Sequence, residues 1–592
     1  MLKAYRRIFL IWHGYRRHLV LCQALLLVSG AASIGMATLT QKVINQGLVA
    51  GDTTAIVTTG IWMAVLALVS GGAMAVAAAI AVFFMQGTAW VMRTELYSKL
   101  QDYSFENFDR IRTGDLLTRL SSDIDNVSWA VLYGVLLILY APFMLVIAFV
   151  LTIFRSPSLL WLLLVATGAV IGMMAVIAPI IFKAYVARQE RLDDVNATLQ
   201  ESLTGVRVVK AFTREQLEEK RAEQRAAAMR KPAFTAAFTM ALMQPLINAS
   251  AQAMILVSVW YGGWRVLDGK LNLGELIAFT QYLSLVAAPL AMLAIIVPFI
   301  LRGGASIERL LEAYDAVPAV QDKEDAKSLE PAAVKGRLAF EDVSFAFRRP
   351  DGTFDPPALK HISLTLEPGE RVGILGATGA GKTALVNLVP RFYDDTEGRI
   401  TIDGVDVRDI PQENLRSIVG IALQEAVLLQ GDVRFNLKFG APDVDDEVMR
   451  AAAAAADADE FVDDLPERWD APVSSRGNNF SGGQRQRLSM ARTLTPLPRI
   501  LILDDSTSAL DVETESRVQE AIPEFAGHAT TIYVAQRISA VIDLDKVVLM
   551  DRGEITDVGS HEELLERSEL YREIYESQLG AGLAPAAAGA PA

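Results

Sequence analysis

The chain has 592 residues, 52% of them hydrophobic, and a formal net charge of −14. That length exceeds one compact core, so at least two domains are expected, and the acidic balance argues against a nucleic-acid partner, which would favour a basic face. The single cysteine, Cys22, excludes an intrachain disulfide and any multi-cysteine metal or redox motif.

At the start, Lys3 to Trp12 carries basic residues around a short apolar patch, and Arg16 and Arg17 precede the first long apolar run without a small-residue cleavage site. This pattern predicts an interfacial helix and not a cleaved signal peptide. Nearly uncharged runs then occupy 18–41, 53–92, 126–154, 156–182, 232–264 and 276–301. Each exceeds the roughly 20 residues that a helix needs to cross a bilayer. Six spans are predicted, over about 18–45, 55–92, 126–154, 156–185, 232–264 and 274–303. The connections 93–125 and 183–231 are rich in Arg and Lys, whereas 42–52, 155 and 265–275 hold only Lys42, Arg155, Arg265 and Lys270. The positive-inside rule therefore puts both termini and both long connections in the cytoplasm. Met92–Asp102 and Lys183–Leu203 lack proline and are rich in good helix formers, so the membrane helices are expected to run on beyond the bilayer.

The apolar runs hold no Asp, Glu, Lys or Arg, which leaves an ion-coupled mechanism without support. Gln244, Asn248 and Gln252 recur every four residues and so share one helix face. They either line a substrate cavity or bond neighbouring helices. Residues 1–314 thus read as a membrane domain. Residues 315–336, with Pro318 and Pro331, read as a linker. The Ala/Gly/Pro-rich stretch 580–592 reads as a disordered tail.

Between them, 337–579 reads as an α/β domain with a largely parallel sheet. Its strand-like runs are Leu338–Phe340, Val343–Phe347, Ile362–Leu366, Arg371–Leu375, Ile400–Ile402, Ile418–Ala422, Ile500–Leu503, Thr530–Val534 and Lys546–Met550. The run Arg371–Leu375 leads into Gly376-Ala377-Thr378-Gly379-Ala380-Gly381-Lys382-Thr383, and Lys382 and Thr383 open a helix that continues from Ala384 to Val389. Loop N–H groups and the helix start suit a β-phosphate. Lys382 would reach the β- and γ-phosphates, and Thr383 would place its hydroxyl on Mg²⁺. ATP and Mg²⁺ are the ligands this motif predicts.

Around this loop the whole chain resembles ATP-binding-cassette exporters that fuse six membrane helices to one nucleotide-binding domain. The resemblance implies a polytopic α-helical membrane domain plus an α/β P-loop nucleotide-binding domain. It places Phe347 as the ring that stacks on adenine, where tyrosine is usual. It makes Gln424 the loop glutamine near Mg²⁺, and Asp504 the strand-end carboxylate that holds Mg²⁺ through water. The stretch Ser481-Gly482-Gly483-Gln484 matches the signature that caps the ATP of a partner domain, and Ser508-Ala509-Leu510-Asp511 resembles the loop that crosses between the two sites. Phe108-Asp109, Gly114-Asp115, Arg119 and Asp123 resemble the first cytoplasmic coupling connection, and 201–212 the second.

Besides Phe347, and Phe480 before the signature where leucine is usual, three positions depart from the family pattern. Asp505 stands where a catalytic glutamate is usual, and its carboxylate falls short by about 1 Å, a misplacement that can cost ~10²-fold. Gln536 replaces the switch histidine. It can donate a hydrogen bond but cannot become cationic. Ser475 replaces an acidic residue that would contact a coupling helix. The resemblance then implies half of a heterodimeric exporter in a prokaryotic inner membrane. Its partner would be a second half-transporter carrying the intact glutamate and histidine, and its cargo small and amphipathic, a drug or a lipid. A homodimer with two slow sites, and an ATP-gated regulatory or channel subunit, stay open at this stage.

Overall fold

A computed structural model of the protein describes residues 13–137, 139–349, 352–527 and 529–579. The interfacial segment Lys3–Trp12 and the tail 580–592 lie outside the described residues. Two compact units result, one of residues 1–101 and 114–315, the other of residues 102–113 and 316–592.

Among its described residues the first unit holds helices and no strand. Among the described residues, five helices are long and apolar enough to cross a membrane: Arg16–Val49, Thr53–Gln101, Thr113–Arg155, Pro157–Thr204 and Glu215–Leu267. The apolar stretch Leu273–Ala287 opens a further helix of 43 residues, Leu273–Asp315. Uninterrupted helix is the only open-ended way to satisfy every backbone N–H and C=O in hydrocarbon, which is why these apolar runs fold as they do. Thr53–Gln101 runs for 49 residues. At 1.5 Å per residue that is roughly 70 Å, against a hydrocarbon core of about 30 Å, so much of it must lie outside the bilayer. Large apolar side chains such as Leu68, Phe154 and Trp260 stand exposed, as lipid-facing residues do. The interior is held by Phe279, Tyr282 and Leu162, with the Tyr282 hydroxyl 3.1 Å from that of Thr38. Beyond the apolar spans, Asp123 is buried and accepts from Ser306 at 2.8 Å and from both arms of Arg309.

The second unit carries a six-stranded sheet in the order Glu554–Gly559, Lys546–Asp551, Arg371–Leu375, Thr530–Ala535, Ile500–Asp504, Val419–Ala422. All its neighbours run parallel except the first pair. Its central strands read as unbroken apolar runs because both faces are covered, and Ile500–Asp504 is buried throughout. A four-stranded antiparallel sheet, Leu359–Leu366, Leu338–Phe345, Glu397–Ile402 and Val405–Asp406, lies beside it in the same apolar core. The runs 338–340 and 343–347 form one strand that ends at Phe345, with register shifts near Asp342, whose φ is +53°. Phe347 therefore sits past the strand end and not within it. A separate helical core gathers Met449, Ala452, Trp469, Leu488 and Leu494.

Residues 102–113 belong to this second unit although the chain order sets them inside the membrane part. The reason is local packing. Phe105 of the short helix Phe105–Arg110 stacks on Phe392 with centroids 4.1 Å apart. Ala319 N–H donates to Ser104 Oγ and Asn107 Oδ1, both at 3.2 Å.

Candidate functional site

Three neighbouring parallel strands end at one edge of the larger sheet, and each delivers a predicted residue there. Arg371–Leu375 ends in the glycine loop, Ile500–Asp504 ends in Asp504 and Asp505, and Thr530–Ala535, between them, ends next to Gln536. Val419–Ala422 on the far side leads to Gln424. Ligands of open α/β sheets collect at such carboxyl ends. A cavity of about 330 Å³ opens there, and Phe347, Thr378, Lys382, Thr383, Gln424, Asp504, Asp505 and Gln536 all line it. Residues more than 180 positions apart in the sequence thus meet in one place.

The loop could not be built from larger residues. Gly379 and Gly381 have φ of +85° and +98°, and a Cβ on Gly381 would meet the Ala358 carbonyl oxygen at 2.8 Å. Gly381 precedes the helix Lys382–Leu388, which Lys382 and Thr383 open as the sequence led one to expect. The Lys382 ammonium donates to the carbonyls of Gly376 at 2.7 Å and Ala377 at 3.0 Å. Burial lowers its pKa from the ordinary lysine value, while Asp505 and Asp504 oppose that shift.

Asp504 is 1% exposed. Its Oδ1 accepts from the Thr383 hydroxyl at 3.3 Å, and its Oδ2 is buried with no protein donor. Burial raises its pKa above the usual carboxylate value, and Thr383 pulls it back. A buried carboxylate oxygen without a donor is costly unless an ion or water meets it. The pair Thr383–Asp504 fits a hydrated hard cation, which takes oxygen ligands and typically one or two carboxylates plus substrate phosphates. Among the described residues no cluster of three His, Cys, Asp or Glu competes as a metal centre.

Asp505 sits beside this pair. Its backbone is in the left-handed region, with φ of +49°, a conformation that aspartate tolerates better than most residues. Asp505 Oδ2 accepts from Gln424 Nε2 at 3.3 Å and from Gln536 Nε2 at 3.4 Å. The Gln536 side-chain Oε1 in turn accepts from Thr378 Oγ1 at 3.4 Å. These long bonds link both glutamines, the glycine loop and Asp505 into one network.

Ser481 caps the helix Gly482–Leu494 in reciprocal fashion. Its Oγ accepts from Gln484 N–H at 3.2 Å, and Ser481 N–H donates to Gln484 Oε1 at 2.9 Å. None of 481–484 lines the 330 Å³ cavity. Ser481 and Gly482 are exposed.

Sequence reasoning missed several members of the site. Tyr393 lines the same cavity edge-on to Phe347, with centroids 5.5 Å apart. Asn387 also lines it, its Oδ1 buried without a donor. Gln486 ties the Ser481 helix to the crossing loop, donating to Ser508 Oγ at 3.2 Å and accepting from Ala509 N–H at 2.9 Å. A lone Tyr, Asn or Gln in a chain of this length carries no signal until the fold brings it to a site. In the membrane unit, Gln244 Nε2 donates to Asn248 Oδ1 at 3.2 Å, and all three predicted cavity residues are exposed. They do not line the narrow space of about 20 Å³ between Leu163, Thr167, Met254 and Val286.

Comparison with known proteins agrees with this architecture. Residues 19–290 match the ABC transporter transmembrane region, and residues 359–508 match the ABC transporter family model. The chain is 32% identical over 556 residues to the uncharacterized ABC transporter ATP-binding protein YfiB of Bacillus subtilis, covering 94% of this chain and 95% of that protein. It is 29% identical to the ATP-dependent lipid A-core flippase of Syntrophus aciditrophicus, over 97% of this chain and 94% of the flippase. A solved bacterial Atm1-family ABC exporter with ATP bound superposes with a TM-score of 0.80 at 26% identity, over 95% of this chain and 98% of that one. The chain belongs to the ABC transporter family, as an exporter half-transporter with a membrane domain fused to an ATP-hydrolysing nucleotide-binding domain. It is an integral membrane protein of a kind that works as a dimer in the lipid bilayer.

Proposed function

We propose that this chain is one half of a heterodimeric ATP-driven exporter, holding ATP at its own Walker elements and cleaving it slowly. The observation that carries the reading is the Asp505 network. Asp505 Oδ2 takes hydrogen bonds from Gln424 and Gln536, so the shortened carboxylate and the amide that replaces an imidazole engage each other. Neither glutamine can accept a proton to act as a base. Thr383 and Asp504, with Gln424 nearby, would hold Mg²⁺, which neutralises charge on phosphate oxygens. Phe347 and residues 376–383 hold the nucleotide. Ser481, Gly482, Gly483 and Gln484 stand away from that cavity, and the proposal assigns them to the ATP of the partner, which carries the intact glutamate and histidine.

The nucleotide-binding domain and both termini are cytoplasmic on this reading, in the inner membrane of a prokaryotic cell. Cargo is a small amphipathic molecule, a drug or a lipid. The uncharged apolar spans support that class, and so does the relative named as a lipid A-core flippase. The test is ATPase activity of the purified two-chain complex after Asp505→Ala here, set against loss of the partner's glutamate. The partner change should abolish turnover and Asp505→Ala should leave most of it. Equal loss from both, or brisk ATPase from this chain purified alone, overturns the proposal. Transport into inside-out vesicles across a substrate panel identifies the cargo.

A further inference from the structure

The strand Thr530–Ala535 delivers Gln536 to the cavity, but the sheet ladder stops at Ala535. Two backbone groups just past that end are met by one side chain of the helix Glu569–Leu579. Gln578 Nε2 donates to the Gln536 main-chain carbonyl at 2.9 Å, and Gln578 Oε1 accepts from Ile538 N–H at 2.8 Å. A carboxamide carries donor and acceptor side by side, so one glutamine brackets residues 536–538 much as a neighbouring strand would. The helix is itself anchored. Tyr571 is fully buried in the cluster that holds Ile538, Leu375 and Leu549, with Ile574 and Tyr575 packed against it. On the cavity side, the Gln536 side chain spans Asp505 Oδ2 and Thr378 Oγ1, both at 3.4 Å and near the outer limit of a hydrogen bond. A small shift of the backbone that carries Gln536 therefore decides whether its amide reaches either side of the cavity.

We propose that Gln578 is a positioning residue of the nucleotide site, which fixes the backbone at 536–538 and so aims the Gln536 carboxamide at the terminal phosphate of ATP. The inference rests on the cavity being an ATP site with Gln536 at its phosphate end. Lys382, Thr383, Asp504 and Asp505 mark that end, and the Gln536 amide bonds one of them. An amide N–H donates to a phosphate oxygen, and ADP has no γ-phosphate to receive it. Gln578 does not line the cavity. It acts through Gln536 alone, and its task is to sharpen the preference of the site for ATP over ADP. One neutral hydrogen bond correctly aimed is worth roughly 2–10-fold in affinity.

The test titrates the full-length chain with ATP and with ADP, each with Mg²⁺, in competition with a fluorescent nucleotide. Gln578→Leu keeps the size of the side chain and removes both bonds. It should lower the ratio of ATP to ADP affinity by roughly 2–10-fold, through weaker ATP binding with ADP binding unchanged. Gln578→Glu keeps the acceptor for Ile538 N–H and loses the donor to Gln536, and should move the ratio the same way. Gln536→Ala should lower it too, and adding Gln578→Leu to Gln536→Ala should lower it no further. A merely structural role of the helix would weaken ATP and ADP binding alike and leave the ratio where it was, which overturns the proposal. So does a wild-type ratio in both Gln578 variants, or a further fall when Gln578→Leu is added to Gln536→Ala. If Gln536→Ala itself keeps the wild-type ratio, Gln536 does not meet the terminal phosphate, and the proposal falls with that premise. If the wild type binds neither nucleotide, the cavity reading fails first and takes the proposal with it.

Discussion

If this chain's own site cleaves slowly, as proposed, Asp505→Glu and Gln536→His should raise cleavage there in steps whose sizes follow from the geometry. Asp505 Oδ2 lies 3.3 and 3.4 Å from the amide nitrogens of Gln424 and Gln536, near the outer limit for hydrogen bonding. Asp505→Glu adds one methylene and advances the carboxylate by about 1 Å into the cavity, away from those amides. Recovering a misplacement of that size is worth ~10²-fold, or about 2.7 kcal/mol of barrier. The backbone at 505 opposes the change, since φ is +49° and glutamate fits the left-handed region less well than aspartate. That penalty is at most about 1–2 kcal/mol, smaller than the gain and borne by stability, not by the barrier. Adding Gln536→His to Asp505→Glu should raise the rate further, because a well-placed base contributes roughly 10²–10⁴-fold. Gln536→His alone should do little, because the short carboxylate stays out of reach. The assay is single-turnover ATP cleavage in the assembled dimer, with the partner's Walker lysine replaced so that only this chain's site is loaded. Rates for Asp505→Glu and the double variant within about threefold of wild type would falsify the account. A wild-type rate already equal to that of the partner's site would do the same.

The remaining predictions concern binding and stability. Phe347→Leu should weaken ATP binding by about 3–10-fold through loss of ring stacking, while Phe347→Tyr should change it little; equilibrium titration with a fluorescent nucleotide measures both. Gly381→Ala should abolish nucleotide binding and lower the melting temperature, because its Cβ would lie 2.8 Å from the Ala358 carbonyl oxygen at a φ of +98°. His561 bonds the Tyr571 hydroxyl at 2.8 Å, and burial lowers its pKa from the ordinary 6.5, with Asp543 and Glu562 opposing. The folded state thus prefers the neutral ring. Its contribution is complete above pH 6.5 and is lost as pH falls through the lower folded value. Thermal melts from pH 7.5 to 5.5 should show that loss, and His561→Gln should flatten it.

How much of this was legible in the sequence depended on the range of the interaction. Local patterns travelled well. The uncharged runs became long helices because hydrocarbon leaves the backbone no other partner. The residues 376–383 formed the expected strand–loop–helix because glycine conformations and the helix start are set within a few positions. Short strands such as Glu554–Gly559 and Val405–Asp406 were missed, since they are polar or brief and exist only by pairing with a neighbour. The Tyr393 hydroxyl donates to Asp109 Oδ2 across 284 positions, and neither residue belongs to a periodic pattern. This hydrogen bond is a product of tertiary packing, as is the placement of residues 102–113 with the nucleotide-binding unit. The same holds for Gln424, which a sequence match nominates but only the fold puts on the carboxylate of Asp505.

The proposed division of labour between the cavity and the Ser481 helix has physical support of its own. The cavity surrounds its ligand on the side of the Walker loop, the two aspartates and the two glutamines, and no signature residue closes it. The Ser481 helix is capped by its own side chains and leaves Ser481 and Gly482 exposed. Phosphate oxygens facing away from the Walker loop therefore need donors from elsewhere, and the exposed start of a 13-residue helix, where Gly482 and Gly483 lack intrahelical acceptors for their N–H groups, is a source of donors for an anion presented by another domain. Two such domains set face to face satisfy both needs at once. In that arrangement, changes at Asp505 and Gln536 impair one of two sites, whereas a change at Ser481 impairs the other. Ser481→Ala removes the cap, at about 1 kcal/mol of helix stability, and should slow the partner's turnover while leaving ATP affinity at this chain's own cavity intact. Loss of affinity at this chain's own cavity instead would mean that the signature serves the Walker loop of its own chain, and the two-domain arrangement would be wrong.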